Sequence, residues 1–286
     1  MPATSVPSLT IRVQEDVSDV TASKSGEPLS DEFWREFLIK GSPLERASRR
    51  VLGRIPHGPR CRMCGAPFEG PGAPVMRLIG KRRSEQTPYW CMSCFTFMSR
   101  HHGGAEVELT FLFADVRGST PMAERLESES YRQLMGRFYE TAAEVVFQHD
   151  GAIDKFIGDE VVAFFLPSLA GERHAARGVE TAQALLRATG HADADGPWLP
   201  LGAGVHTGTA WIGTVRAGSR TEFTALGDAV NTASRLATAA KAGEIVVSTD
   251  AATAAGLDPG LEHRRLELKG KEGATEVVTL TVAADR

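Results

Sequence analysis

The sequence predicts an α+β protein: a ferredoxin-like β-α-β-β-α-β domain preceded by a small four-cysteine metal-binding module. Three observations carry this. From Glu106 onward, apolar strands alternate with amphipathic helical stretches in the order strand, helix, hairpin, helix, strand. All 4 cysteines of the 286-residue chain fall ahead of that point, as two CxxC pairs. The stretch that holds them is rich in Gly and Pro and poor in periodicity, so a metal would substitute there for an apolar core.

Residues 1–29 are rich in Ser, Thr, Pro and acidic residues, and are expected to form a disordered tail. A helical segment is expected over 30–56. Ser30 and Asp31 are a helix start before Phe33, Trp34, Phe37 and Leu38, which share one helical face. Gly41-Ser42-Pro43 breaks that helix, and a second amphipathic stretch runs from Leu44 to Leu52. Both are read as packing or dimer-contact surfaces. The cysteine module is placed at 57–104 and the α+β domain at 105–286. In the latter, strands are expected at Val107–Ala114, Leu201–Ile212, Thr221–Ala225, Ile245–Ser248, Leu261–Leu268 and Glu276–Val282. Gly151–Ile157 and Val161–Leu166 read as a hairpin around Gly158-Asp159. Helices are expected at Thr120–His149, Glu172–Thr189 and Gly227–Lys241.

Bulk properties exclude some functions. An apolar fraction of 42% suits a globular core, and a net charge of −4 argues against a general nucleic-acid binder. No apolar run approaches the ~20 residues that span a bilayer. The N-terminus lacks an apolar signal segment, so a cytoplasmic location is expected. The stretch before the α+β domain is locally basic, through Arg46, Arg49, Arg50, Arg54, Arg60, Arg62, Arg77, Lys81, Arg82 and Arg83.

Two acidic residues stand out. Asp115 closes the first strand and Asp159 sits at the hairpin tip, in Lys155-Phe156-Ile157-Gly158-Asp159-Glu160. In this fold the first strand lies beside the hairpin, so the two carboxylates can meet. Such a pair repels unless cations bridge it, and Mg²⁺ suits a site of one or two carboxylates plus substrate phosphates. Taken singly, each Asp reads equally well as a strand or turn cap.

Five segments in order resemble the catalytic domain of class III adenylyl and guanylyl cyclases, over about residues 106–282. They are Phe113-Ala114-Asp115-Val116-Arg117-Gly118-Ser119-Thr120, the Lys155–Glu160 hairpin, Gly204-Val205-His206-Thr207-Gly208, the run from Phe223 to Leu236, and Leu268-Lys269-Gly270-Lys271. The run from Phe223 is the most specific. The resemblance implies an adenylate cyclase, a signal-transducing lyase that forms 3′,5′-cyclic AMP from ATP. It implies that Asp115, Asp159 and the carbonyl of Val116 hold two Mg²⁺ or Mn²⁺ ions per active site. It assigns the ribose and α-phosphate to Asn231 and Arg235, and the terminal phosphates to Lys269, with Lys271 and Arg220 left open. The pattern Ile157-Gly158-Asp159-Glu160-Val161 departs from the Gly-Gly-Asp/Glu-Glu-Phe turn of the related dinucleotide-forming cyclases.

The resemblance also assigns base reading to Lys155 and Thr224. Lys155 can donate to adenine N1, and Thr224 can accept from the exocyclic amine; guanine presents the reverse pattern. Thr224 stands where many adenylyl cyclases carry Asp. The chain holds both halves of a site that the family divides between two subunits, which implies a homodimer with shared sites. A non-catalytic nucleotide-binding or interaction module, with the cysteine region as sensor, is the alternative.

Cys61, Cys64, Cys91 and Cys94 form a zinc-ribbon-like set for structural Zn²⁺, with a rubredoxin-like iron site as the other metal reading. A clip, a protein-contact surface and a metal or redox sensor all remain open as its role. Contact with nucleic acid through the basic flank and Tyr89, Trp90 and Phe95 is not favoured. No membrane partner is expected.

Overall fold

Among the described residues, the apolar runs assemble into one sheet of eight strands. The computed structural model describes residues 29–41, 47, 49, 51, 59–61, 63–85, 90–217, 220–268 and 273–283. The expected tail 1–28, most of the second amphipathic stretch, Tyr89 and Lys269-Gly270-Lys271 lie outside the described residues, as does the side chain of Arg220.

At the centre of the sheet, β1 (Gly103–Val116) and β4 (Leu201–Ala217) pair antiparallel from Gly103↔Thr214 to Val116↔Leu201. Beyond β1 lie β3 (Glu160–Phe165) and then β2 (Ala152–Ile157). Beyond β4 lie β6 (Ile245–Ser248), β8 (Ala274–Leu280) and β7 (His263–Glu267). A further strand, β5 (Arg220–Leu226), pairs with the far half of β4, from Trp211↔Leu226 to Ala217↔Arg220. This is the α+β architecture expected from the element order.

One face of the sheet is covered by α5 (Ser128–Gln148) and α7 (His174–Ala188). Phe138, Val145, Leu185 and Leu186 pack there on Leu112, Ala114, Phe165 and Val205. The other face receives α8 (Asp228–Ala239) through Ala229, Ala233 and Ala237, spaced four apart so that a single small-residue stripe meets the sheet. That stripe allows a close approach. A Cβ on Gly204 of β4 would lie 2.2 Å from the backbone nitrogen of Ala237.

The same face is also covered by α1 (Asp31–Lys40) and α3 (Met92–Arg100). As expected from the sequence, Ser30 caps α1, its side chain accepting from Phe33 N–H at 3.2 Å. Trp34 and Leu38 are fully buried. The Trp34 ring stacks on Phe223 at a centroid distance of 6.5 Å, and its Nε1–H donates to His102 O at 3.3 Å. The packing reading of this helix is the one observed.

Several boundaries differ from the expectations. The central strands run further than expected, from Gly103 and to Ala217, where Gly103, Gly104 and Gly213 permit the two backbones to approach closely. A Cβ on Gly213 would sit 2.3 Å from Gly103 O. The single helix expected over 120–149 is two, α4 (Ser119–Arg125) and α5, separated by extended backbone at Leu126 and Glu127. Because α4 buries no residue, the hydrophobic period carries no sign of the break. The short helices α2 (Ala73–Leu78), α6 (Pro167–Ala170) and α9 (Thr249–Ala255) were not expected. At four to seven residues they span too few turns for periodicity to register.

Candidate active site

Asp115 and Asp159 come together at the end of β1. The β1–β3 register places Asp115 opposite Glu160, and Val116 N–H donates to Asp159 O at 3.3 Å. Between β2 and β3, Gly158 takes φ +62°, a left-handed conformation that glycine adopts without steric cost. Tyr139 of α5 steadies this turn: its hydroxyl donates to Gly158 O, and its ring packs on Phe156 at 4.5 Å.

The electrostatics are those of a carboxylate cluster short of positive charge. Burial raises the Asp115 pKa, the Arg117 guanidinium opposes this, and the charge and hydrogen bond of Asp159 raise it further. Glu160 is pushed up to about 7 by burial and by the charges of Asp115 and Asp159. Arg117 donates to the Asp115 carboxylate and reaches Thr238 O and Ala240 O, each at 3.4 Å. An all-oxygen set with mutually repelling charges fits hard divalent cations, so Asp115 and Asp159 are suited to hold them, with Val116 adjoining.

Lys155 and Thr224 also meet, joining β2 to β5. Lys155 Nζ donates to Thr224 Oγ1 at 3.0 Å. Asp154, unnoticed in the sequence, sits against both: Thr224 Oγ1 donates to Asp154 Oδ2 at 3.2 Å, and Lys155 Nζ lies 3.4 Å from the same oxygen.

Asn231 and Arg235 project from the α8 face opposite the alanine stripe, Asn231 exposed and Arg235 half-buried. Gly204, within the Gly204–Gly208 motif, serves the approach of that helix to β4. Arg220 opens β5. Lys269 lies beyond Leu268, outside the described residues.

Comparison with known proteins matches residues 104–281 to the family described as "Adenylate and Guanylate cyclase catalytic domain". That is more than half of the chain. The chain belongs to the class III nucleotidyl cyclases. The cyclase is 38% identical over 146 residues to adenylate cyclase 1 of Rhizobium meliloti (strain 1021), covering 48% of this chain and 22% of that protein. It is 33% identical over 142 residues to an adenylate cyclase of Anabaena cylindrica, covering 45% of this chain and 26% of that one. It thus spans about a quarter of the length of these curated relatives. Among solved structures, the adenylyl cyclase CyaB from P. aeruginosa superposes with a TM-score of 0.56 at 29% identity, covering 64% of this chain and 98% of that one. The guanylyl cyclase Cya2 superposes with a TM-score of 0.57 at 25% identity, covering 64% and 95%.

Ahead of the cyclase domain, the cysteines converge. The Sγ atoms of Cys61, Cys64, Cys91 and Cys94 all lie within 4.8 Å of one another, all four side chains are buried, and no disulfide joins them. Cys64 Sγ and Cys91 Sγ are 3.7 Å apart. Tetrahedral Zn–S bonds of about 2.3 Å place sulfurs about 3.8 Å apart, so the set fits zinc. Hydrogen bonds from Cys61, Cys91 and Cys94 hold the Cys64 thiol well below its usual range, and the Lys81 ammonium adds to this. The module docks on the cyclase domain through Arg49, which donates to Met63 O and to Gly151 O at 2.7 Å each. Arg49 and Arg60 also lie over the Phe147 ring, at 4.7 and 4.9 Å.

Asp154, Arg117, Glu160 and Tyr139 were given no role from the sequence. Arg117 and Glu160 adjoin the two aspartates, and their proximity to the cluster was available as a signal. Nothing local marks Tyr139, which reaches the turn from another element.

Proposed function

We propose that this chain is an adenylate cyclase, converting ATP to 3′,5′-cyclic AMP and pyrophosphate as a homodimer with two shared active sites. One observation carries the choice of nucleotide: Lys155 and Thr224 are brought side by side, a donor and an acceptor in the order that adenine N1 and its exocyclic amine require. Lysine facing the guanine N1–H would leave two donors opposed.

In this reading Asp115, Asp159 and the Val116 carbonyl hold two Mg²⁺ or Mn²⁺ ions. Bound there, the cations would lower the pKa of the ribose 3′-hydroxyl and neutralise charge on the triphosphate. Lys155 and Thr224 fix the base, and Asn231 orients the ribose. Arg235 offers several N–H donors in a fixed fork to the α-phosphate, where charge grows as the 3′-oxygen attacks. Lys269 and Arg220 receive the terminal phosphates that leave as pyrophosphate. Attack within one molecule places the demand on orientation and electrostatics. The outward face of Asn231 and Arg235 supports their use by a second subunit.

The catalytic domain is assigned to 105–286, a zinc-holding four-cysteine module to 57–104 and a helical segment to 30–56, of which Trp34 and Arg49 contact both of the others. We place the protein in the cytoplasm; no helix among the described residues is long and apolar enough to cross a membrane. The test is direct. Purified protein with Mn²⁺ or Mg²⁺ is offered ATP and GTP separately, and the products are resolved by chromatography. Cyclic AMP as the dominant product is expected; formation of cyclic GMP alone, or of neither, would overturn the reading.

A further inference from the structure

We infer that Asp154 is a specificity-determining residue: its carboxylate takes the Thr224 hydroxyl proton in a hydrogen bond and so presents Thr224 to the substrate base only as an acceptor. The inference rests on the proposed reading of Lys155 and Thr224 as the base-recognising pair.

Strand geometry brings Asp154 there. In a regular strand, neighbouring side chains alternate faces. Here the β2–β3 register shifts, from Ile153↔Ala163 to Lys155↔Val162, leaving Asp154 as the extra residue of a bulge. Ile153 and Phe156 both pack in the core beneath α5 and α7. The two residues between them, Asp154 and Lys155, both turn to the β5 side and meet Thr224. The Asp154 side chain is only 6% exposed, so its carboxylate is committed to protein partners rather than to bulk water.

The hydrogen-bond inventory supplies the consequence. A threonine hydroxyl carries one donor and two acceptor sites, and it rotates to suit its partner. An ionised carboxylate can only accept. With Thr224 Oγ1 donating to Asp154 Oδ2 at 3.2 Å, the one proton of the hydroxyl is assigned. What remains on Thr224 is lone-pair density, one site of which accepts from Lys155 in the free chain at 3.0 Å. An adenine amine, a donor, matches such an oxygen. Guanine O6, an acceptor, opposes it. Without Asp154 the hydroxyl is free to rotate and donate to O6, and Thr224 no longer distinguishes the two bases.

The test measures kcat/KM for ATP and for GTP in the full-length protein, in four forms: wild type, Asp154→Asn, Thr224→Val, and the double variant. Asp154→Asn is expected to lower the ATP-to-GTP ratio about tenfold, the scale of one misplaced hydrogen bond in a closed site. Thr224→Val is expected to lower it as well, and the double variant no further than Thr224→Val alone. A ratio unchanged in Asp154→Asn, even with both rates reduced, assigns Asp154 a merely structural role and overturns the inference. So does full additivity in the double variant. If Asp154→Asn does not fold, Asp154→Ser carries the same expectation. A wild type that makes no cyclic AMP defeats the underlying assignment. One that prefers ATP while Asp154→Asn keeps its ratio defeats this inference alone.

Discussion

Arg117 grips the Asp115 carboxylate with one guanidinium nitrogen while another bonds the backbone oxygens of Thr238 and Ala240 at the C-terminal end of α8. In the proposed metal role of Asp115, an arriving cation would meet a positive competitor that is also a tether. The pair is partly exposed, with side chains at 22% and 27%, and pairs of this kind are worth up to ~1 kcal/mol. Arg117→Ala should lower the Mn²⁺ concentration for half-maximal activity by up to about fivefold, while kcat falls as the end of α8 loses its anchor. Activity titrated with Mn²⁺ at saturating ATP checks both. An unchanged midpoint argues against competition.

The proposed homodimer with shared sites makes a different demand. Asp115→Ala and Asn231→Ala should each abolish activity, and mixing the two inactive proteins should restore roughly a quarter of it by random reassortment of dimers. Tagged subunits report heterodimer formation independently. Confirmed heterodimers without activity would remove the case for a site built from two chains.

The cysteine set should carry about one zinc per chain, measurable by elemental analysis of the purified protein. Cys61→Ser or strong chelation should release it. The connection from Pro59 to Cys94 should then become sensitive to protease, since the described module buries few apolar groups beyond Ala66, Phe68 and Ala73. A zinc-free preparation with unaltered protease resistance would contradict the metal assignment.

His174 supplies a pH dependence. Its Nδ1 meets Thr110 Oγ1 at 2.9 Å, and burial holds its pKa below the ordinary value, with the Glu108 charge opposing. The neutral ring is thus favoured in the folded state, and the unfolded chain binds the proton more readily. Stability contributed by the neutral ring is complete above the unfolded pKa of about 6.5 and is lost as pH falls through it toward the folded value. The drop in Tm between about pH 7.5 and pH 5.5 should be smaller in His174→Asn than in wild type. His101 and His191 shift the same way, so part of the slope should remain.

Trp34 tests whether the N-terminal helix belongs to the cyclase core. Its ring is fully buried between Phe223, Phe97 and Gly103. Trp34→Ala should cost ~3–5 kcal/mol in urea denaturation, the usual range for a buried tryptophan. A cost below ~1 kcal/mol would show that α1 contributes little to the core.

Much of this protein could be read along the chain. The order of strands and helices, the CxxC pairs and the ordered motifs around Asp115, Asp159, Thr224 and Asn231 are local patterns, and local patterns survive in one dimension. Helix α8 is legible for that reason: its apolar stripe and its polar pair recur at helical spacing. What the linear pattern withheld was everything set by contacts between distant segments. Glycines 103, 104 and 213 lie outside the strands expected from the sequence, and their role is plain only where two strands pair. The bulge that turns Asp154 beside Lys155 reverses the alternation a strand would impose. Tyr139 reaches the Gly158 turn from another element, and Arg117 reaches the end of α8 across more than a hundred residues. Periodicity reports which face of an element is buried; the partner that buries it, and the polar groups caught between, follow from packing and register in three dimensions.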